Sequence, residues 1–135
     1  MLNIKKISSF VAVLACSTSL QAEPAHHKVS SASYFKADMD IGCKSRYSSA
    51  KQKDLFLNNY KDHWFTWTGT VELADSGSAS INIDGKGTQD LSVDFTDKNA
   101  GYDLIIGSKI TVRFLMESEG GCWLPFSGYR AVIVD

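Results

Sequence analysis

Apolar and polar residues alternate along most of the chain between residues 64 and 134. A period of two is typical of strands that bury one face. Gly69 interrupts the first alternating segment, where a glycine usually marks a bend or a bulge. The sequence DGKG (84–87) predicts a hairpin turn between the second and third strands. The segments with one clearly apolar face are 64–73, 78–84, 90–95, 109–117 and 129–134.

A single helix is expected ahead of these strands. Residues 48–60 begin with a serine that can cap a helix, and Leu55, Phe56 and Tyr60 share one side of it. A helix and five short strands, the first of them bent, predict a mainly β fold, a five-stranded OB-type Greek-key barrel with one N-terminal α-helix. An open five-stranded sheet with a helix across one face is the alternative. The predicted barrel interior consists of Phe65, Trp67, Val71, Ile81, Ile83, Val93, Phe95, Ile110, Val112, Phe114 and Ile133.

Residues 1–22 have the pattern of a secretory signal peptide, with two lysines, an apolar stretch and small residues up to Ala22. The apolar stretch is shorter than the roughly 20 residues of a membrane-spanning helix. We therefore expect cleavage after Ala22 and a periplasmic or secreted protein. The sequence VLAC supports an alternative, a lipoprotein anchored to a membrane through Cys16. Residues 23–44 are expected to form a flexible leader and pre-helix segment, and residues 45–135 the OB-fold-like domain.

The charge balance argues against nucleic-acid binding. The signal peptide contains two lysines and no acidic residue, so 14 basic residues become 12 against 15 acidic ones in the mature chain. Nucleic-acid binders need a basic surface, and OB barrels usually hold single strands on rings and cations of the second and third strands. The outward positions of those strands here are Ser80, Asn82, Asp84, Ser92 and Asp94. We expect no nucleic-acid partner.

Two structural motifs carry a resemblance to a known family. A short helix leads into G-x-V at Gly69 and Val71, and the segment YDLIIGSKITV contains the pattern L-x-x-G-x-x-I-T-V. The residues that match this second pattern are Leu104, Gly107, Ile110, Thr111 and Val112. Over about residues 46–134 the chain resembles the tRNA-anticodon-binding-like OB-fold proteins, which are small and mostly exported bacterial proteins. The resemblance implies an OB fold and brings no catalytic residues with it.

Cys43 and Cys122 are the two cysteines that remain after removal of the signal peptide. Two cysteines in an oxidising compartment usually form one disulfide, and we expect this pair to be bonded. The bond would hold the segment GGCWLPFSG (120–128) as a fixed surface. A catalytic or metal-binding thiol and free thiols are the alternatives. A nucleophilic Cys122 would need a nearby base, for which His63 is the candidate.

Other candidate chemistry has simpler explanations. His26 and His27 lie in the leader without an acid or a cysteine at ligand spacing, and a local hydrogen bond explains His63 beside Asp62. The segment NIDGKGTQD (82–90) lacks the regular oxygen ligands of a calcium loop. We expect no metal ion, no cofactor and no catalytic residue.

Aromatic residues concentrate at strand ends and in connections, where they either cap the barrel or contact a partner. The residues in question are Trp64, Tyr102, Trp123, Phe126 and Tyr129. We expect Trp123 and Phe126, restricted by the disulfide and by Pro125, to form a rigid partner-binding surface together with Tyr129 and Trp64. Rigid aromatic side chains lose little entropy on binding.

The sequence therefore predicts a non-enzymatic OB-fold module that binds an unknown protein or glycan through its strand ends and the 119–129 loop. The alternative is a small periplasmic hydrolase or redox protein that uses Cys122 and His63. A membrane is expected as a partner only if Cys16 is lipidated.

Overall fold

The structure, a computed structural model, describes residues 26–135. The predicted signal peptide and Cys16 lie outside the described residues. Two short α-helices and a π-helical turn precede the strands. The elements are α1 (Tyr34–Ile41), α2 (Ser49–Leu55), the π-helical turn (Phe56–Tyr60), β1 (Trp64–Asp75), β2 (Ser78–Asn82), β3 (Leu91–Phe95), β4 (Lys109–Ser118) and β5 (Phe126–Val134).

The five strands form a closed barrel in the order β1-β2-β3-β5-β4. β1 pairs antiparallel with both β2 and β4, and β3 runs parallel to β5. This order and the closure are those of an OB-type barrel. The fold predicted from the alternating pattern is confirmed, and the open sheet is wrong.

Gly69 lies where β1 changes from one partner strand to the other. The first half of β1, up to Thr70, pairs with β4, and the second half, from Thr70, pairs with β2. A Cβ atom on Gly69 would lie 2.5 Å from the carbonyl oxygen of Asn82. Only glycine fits this close approach of two strands, which agrees with the bend expected from the sequence.

A cluster of aromatic rings fills the barrel around Trp67. The indole Nε1 donates a hydrogen bond to the carbonyl of Ala32 at 2.9 Å, so its polar atom has a partner. The rings packed around Trp67 are Tyr34, Phe65, Phe114 and Phe126, with centroid distances between 5.2 and 5.8 Å. Because Tyr34 belongs to α1, this cluster also fixes α1 on the barrel.

Most of the predicted interior is confirmed. Ile83 and Ile110 are partly buried and pack against the core. The predicted residues that are buried are Phe65, Trp67, Val71, Ile81, Val93, Phe95, Val112 and Phe114. The period of two therefore assigns the correct faces in β1 up to Val71, in β2, in β3 and in the first half of β4. Beyond Val71 the register of β1 shifts, and Leu73 is exposed.

The predicted burial of Ile133 is wrong. Ile133 is 36% exposed, and Ala131 takes the buried position in β5. The pairing between β4 and β5 shifts between Arg113 and Leu115, and Arg130 in the shifted region has a φ of +51°. This bulge moves the buried positions of β5 from Phe126 and Gly128 to Ala131. Ile133 shares a face with Ala131 and pairs with the buried Val112, but it is next to the last residue of the strand and stays accessible to solvent.

Helix α1 lies within the 23–44 segment, and the prediction of a single helix missed it. The Ser33 hydroxyl caps the helix by accepting a hydrogen bond from the backbone N–H of Lys36 at 3.2 Å. Ahead of the helix, the N–H of Trp64 donates to the carbonyl of Lys28 at 2.8 Å. From Lys28 onward the expected leader is therefore hydrogen-bonded to the barrel.

Candidate functional site

A disulfide joins Cys43, which follows α1, to Cys122 in the β4–β5 loop (residues 119–125). The two Cα atoms lie 4.6 Å apart and are separated by 79 residues in sequence. The pairing expected from the sequence is confirmed. Because both sulfur atoms are bonded, Cys122 has no free thiol, and the alternative that uses Cys122 and His63 loses its nucleophile in this oxidised form.

The β4–β5 loop turns tightly at two glycines. Gly120 has a φ of +63°, and a Cβ atom there would lie 2.3 Å from the carbonyl oxygen of Pro125. The N–H of Gly121 donates to the carbonyl of Leu124 at 2.9 Å. These turns project Trp123 and Leu124 outward, where their side chains are 96% and 70% exposed.

Phe126 does not belong to the exposed surface that the sequence predicted. It is 3% exposed, and its ring centroid lies 5.7 Å from Trp67 and 5.9 Å from Tyr34. Phe126 is the first residue of β5 and pairs with Leu91, so its side chain points into the barrel. Phe126 therefore anchors the loop in the core, and the prediction that it contacts a partner is corrected.

The β2–β3 loop (residues 83–90) faces the β4–β5 loop, and the carboxylate of Asp90 holds it in place. Asp90 accepts hydrogen bonds from the N–H groups of Ile83 at 2.6 Å and Asp84 at 2.9 Å. It also accepts one from the hydroxyl of Tyr34 at 3.0 Å. Burial, together with this hydrogen bond, raises the pKa of Tyr34 well above its ordinary value, so the hydroxyl remains protonated and donates.

Asn82 organises the tip of the β2–β3 loop. The sequence placed Asn82 on the outer face, but it is buried, and its amide donates to the carbonyl of Gly87 at 3.2 Å. Its side-chain oxygen accepts from the N–H of Gly85 at 2.9 Å. Gly85 and Gly87 have positive φ values of 72° and 65°, as the predicted glycine turn requires.

A cleft of about 440 Å³ lies between α1, the β2–β3 loop and the β4–β5 loop. The disulfide lies in its wall, and Trp123 and Leu124 line the side formed by the β4–β5 loop. We call it the disulfide cleft. The charged residues that line it are Asp38, Lys44, Asp84, Lys86, Asp90 and Glu119.

Trp64 and Tyr129, the other two residues expected to bind a partner, are not among the residues that line the disulfide cleft. They lie on either side of Leu115, which pairs with both of them and is fully buried. The guanidinium groups of Arg113 and Arg130 lie over the Trp64 ring at 4.6 and 5.5 Å. Trp64 and Tyr129 thus cover a buried leucine, so the four predicted aromatic residues do not form one surface.

The turn before β1 contains His63, the candidate base. His63 Nδ1 lies 2.9 Å from the carbonyl oxygen of Lys61, a local hydrogen bond of the kind expected from the sequence. The neighbouring Asp62 accepts a hydrogen bond from the Tyr129 hydroxyl at 2.8 Å. Burial and then this hydrogen bond raise the pKa of Tyr129 above its ordinary value. The contacts of this turn tie it to β5.

Among residues 26–135, no group of three or more His, Cys, Asp or Glu side chains is placed to hold a metal ion. No helix in this part of the chain combines the length and the apolar character needed to cross a membrane.

Comparison with known proteins gives no match to a family model, a curated protein or a solved structure. The resemblance to the exported OB-fold family remains a prediction from sequence motifs. The geometry of the disulfide cleft is therefore the basis on which a function can be proposed.

Proposed function

We propose that this chain is an exported, non-enzymatic binding module of OB type, which binds a protein partner through Trp123 and the disulfide cleft. The observation that carries the proposal is the indole of Trp123, which is 96% exposed on a loop fixed by a disulfide. Tryptophan is enriched among the residues that dominate the energy of protein interfaces. An exposed tryptophan on a fixed loop is the arrangement that such an interface requires.

Because the loop is already fixed, binding has less conformational entropy to remove. Ordering a mobile side chain or loop costs free energy at the moment of association, and a preorganised surface avoids part of that cost. The disulfide fixes the β4–β5 loop at Cys122, directly before Trp123, and the buried ring of Phe126 fixes it where β5 begins. Trp123 is therefore presented by a loop that is held on both sides of it.

A protein is the preferred partner over a glycan because an aliphatic side chain extends the exposed indole. Leu124, next to Trp123, is 70% exposed. Aliphatic side chains add apolar area for contact with the side chains of a protein, whereas sugars are recognised by ring stacking together with hydrogen bonds. Binding of a glycan is the alternative outcome of the experiment below.

The proposed location is periplasmic or secreted. Disulfides persist in oxidising compartments and are rare in the cytosol. The Cys43–Cys122 disulfide supports a location outside the reducing cytoplasm, and the signal-peptide pattern and the resemblance to exported OB-fold proteins point the same way. Lipidation of Cys16 would place the same module on a membrane surface, and mass spectrometry of the N-terminus of the purified protein distinguishes the two forms.

The test is affinity capture with the full chain, purified with its disulfide intact and immobilised as the wild type, Trp123→Ala and Tyr102→Ala. Tyr102 is a matched control because it is an exposed aromatic residue, 77% accessible, that does not line the disulfide cleft. We expect a protein from the extracytoplasmic extract to bind the wild type and Tyr102→Ala. Its affinity for Trp123→Ala should be at least about tenfold lower, the range of an interface hot spot.

Equal capture by the wild type and Trp123→Ala would refute a binding role for Trp123. Retention of glycans, with no Trp123-dependent protein, would support the glycan alternative in place of the proposed protein partner.

A further inference from the structure

The charged residues of the disulfide cleft differ in burial, with the acidic side chains deeper than the basic ones. The carboxylates of Asp84, Asp90 and Glu119 are half-buried, whereas Lys44 and Lys86 are exposed at the rim. Asp38 is the deepest of the carboxylates, with 7% exposure. The interior of the cleft is therefore negative, and the two ammonium groups that line it lie on flexible side chains that remain in solvent.

Asp38 is a buried carboxylate without a partner in the described part of the chain. Its side chain accepts no hydrogen bond there, and the only ion pair among residues 26–135 joins Lys36 to Asp40. Every side-chain N or O atom in that range that is sealed from solvent has a hydrogen-bond partner. The remaining solvent contact of Asp38 is therefore at its carboxylate, which lines the cleft.

Two features make this position of Asp38 unfavourable for the isolated protein. Burial of a carboxylate without a compensating charge costs free energy. Asp38 also lies in the last turn of α1, where the negative end of the helix dipole disfavours an anion. Gly42 makes room for the side chain, because a Cβ atom at Gly42 would lie 2.3 Å from Asp38 Oδ1. A carboxylate that is more than nine-tenths buried, lacks a partner and lines a cleft is placed to receive a ligand of opposite charge.

We propose that the disulfide cleft receives a lysine or arginine side chain of the protein partner, with Asp38 as its counter-ion and Trp123 packed against its aliphatic stem. This inference rests on the proposed function and names the chemistry that the partner must present. A cationic side chain would supply the charge that Asp38 lacks, and an indole is the preferred aromatic surface for a cation.

A side chain of a protein fits the cleft better than a free amine does. The exposed indole of Trp123 and the exposed Leu124 lie beside the acidic interior. A lysine or arginine in a peptide brings a cation together with neighbouring apolar residues, which matches this combination. A small polyamine would satisfy the carboxylates but would leave the apolar side chains exposed to water.

The first test measures stability without a ligand. Asp38→Asn keeps the shape of the side chain and removes its charge, and Asp94→Asn is the control because Asp94 is exposed on β3 and does not line the cleft. We expect Asp38→Asn to unfold at a higher temperature than the wild type, and Asp94→Asn to be unchanged. A lower unfolding temperature for Asp38→Asn would show that the protein itself compensates the charge, and would overturn the proposal.

The second test measures binding with defined probes. The probes are acetylated and amidated peptides of the sequence Gly-Leu-X-Leu-Gly, in which X is lysine, arginine, glutamine or glutamate, and spermidine is tested beside them. Binding is followed through NMR shifts of the Trp123 indole N–H and of the amides of the β2–β3 loop. We expect the lysine and arginine peptides to bind at least about tenfold more tightly than the glutamine peptide, and Asp38→Asn to abolish that preference.

Equal binding of the lysine and glutamine peptides would overturn the proposal. Tighter binding of spermidine that is insensitive to Trp123→Ala would also overturn it, and would assign the cleft to small amines. Failure of this inference is distinguishable from failure of the proposed function. A captured partner that requires Trp123 but binds Asp38→Asn as tightly as the wild type refutes only the cationic side chain. A partner that binds Trp123→Ala as tightly as the wild type refutes the proposed function itself.

Discussion

Two regions of this protein each contain one tryptophan and one buried aspartate near α1. In one region both side chains are packed or hydrogen-bonded within the chain, and in the other they are not. Under α1, Trp67 is 4% exposed among four aromatic rings, and Asp40 accepts hydrogen bonds from Tyr60 and Lys36. In the disulfide cleft, Trp123 is almost fully exposed, and Asp38 has no partner among the described residues. The side chains of the first region are satisfied within the chain, and we propose that a ligand satisfies those of the second.

The difference shows that residue type alone does not reveal a binding site. Large apolar and charged side chains stabilise a fold when their neighbours satisfy them, and they indicate a partner when the fold holds them unsatisfied. The variants below probe this contrast, beginning with the largest effect on stability.

Trp67→Ala should have the largest effect. It removes a buried indole, leaves a cavity among aromatic rings and breaks the hydrogen bond to Ala32, so we expect a loss of about 3–5 kcal/mol in the free energy of unfolding. Urea unfolding monitored by circular dichroism measures it. Trp67→Phe should lose less, because a ring still fills part of the space. A loss below about 1 kcal/mol for Trp67→Ala would contradict the central role of this cluster.

Replacement of Cys43 and Cys122 by serine should have the next largest effect, because the disulfide is the link between the two regions. Removal of the bond restores the conformational freedom of the unfolded chain and is expected to lower the free energy of unfolding by roughly 2–4 kcal/mol. Reduction of the wild type with dithiothreitol should give a similar loss. NMR relaxation should show a more mobile β4–β5 loop, and an unchanged loop would mean that the glycine turns and Phe126 suffice to order it.

Asp40→Asn should lower the free energy of unfolding by about 1–3 kcal/mol, because it weakens a hydrogen-bonded network that includes the buried Tyr60 hydroxyl. Burial alone would raise the pKa of Asp40, but the hydrogen bonds from Lys36 and Tyr60 outweigh burial and hold its pKa below the ordinary value of 3.8. The stabilisation is therefore fully present above that ordinary value and is lost as the pH falls through the lowered pKa in the folded protein.

Urea unfolding at several pH values between about 2 and 7 checks the prediction for Asp40. The wild type should lose more stability on acidification than Asp40→Asn does, with Asp94→Asn as the control for general charge effects. Parallel curves for the wild type and Asp40→Asn would contradict the prediction.

Trp123→Ala should have the smallest effect on stability, below about 0.5 kcal/mol, because an exposed side chain gains little from folding. The same variant is expected to lose partner binding, so this substitution should weaken binding while leaving the stability of the fold nearly unchanged. Thermal unfolding and the capture experiment, performed on one preparation, provide the two measurements. A loss in stability comparable to that of Trp67→Ala would mean that the ring is packed in solution.

The barrel could be predicted from the sequence because a regular strand alternates strictly, and departures from the pattern arose where strands are irregular. The bulge around Arg130 moves the buried positions of β5 from Gly128 to Ala131, and Ile133, on the same face, is exposed near the end of the strand. Leu115 is buried on the outer face because Trp64 and Tyr129 flank it. Register and flanking rings are properties of the assembled sheet, and no local pattern encodes them.

The candidate site was only partly predictable. The count of cysteines predicts the disulfide. The alternating pattern starts the last strand at residue 129 and therefore puts Phe126 in a loop, although β5 begins at Phe126. Helix α1 has eight residues and contains two aspartates, so its pattern did not indicate a buried helix. The exposure of Leu124 and the burial of Asp38 depend on how α1 meets the two loops, which only the folded chain shows.

The disulfide also has a consequence for how the molecule survives proteolysis. Cys43 and Cys122 enclose β1, β2, β3, β4 and the β2–β3 loop between them. A protease that cuts once within this interval, for example after the exposed Lys86 at the tip of the β2–β3 loop, would produce two fragments that remain covalently joined. The nicked molecule would keep its mass, apart from one added water, until a reductant separates the pieces, so a single cleavage need not release half of the barrel.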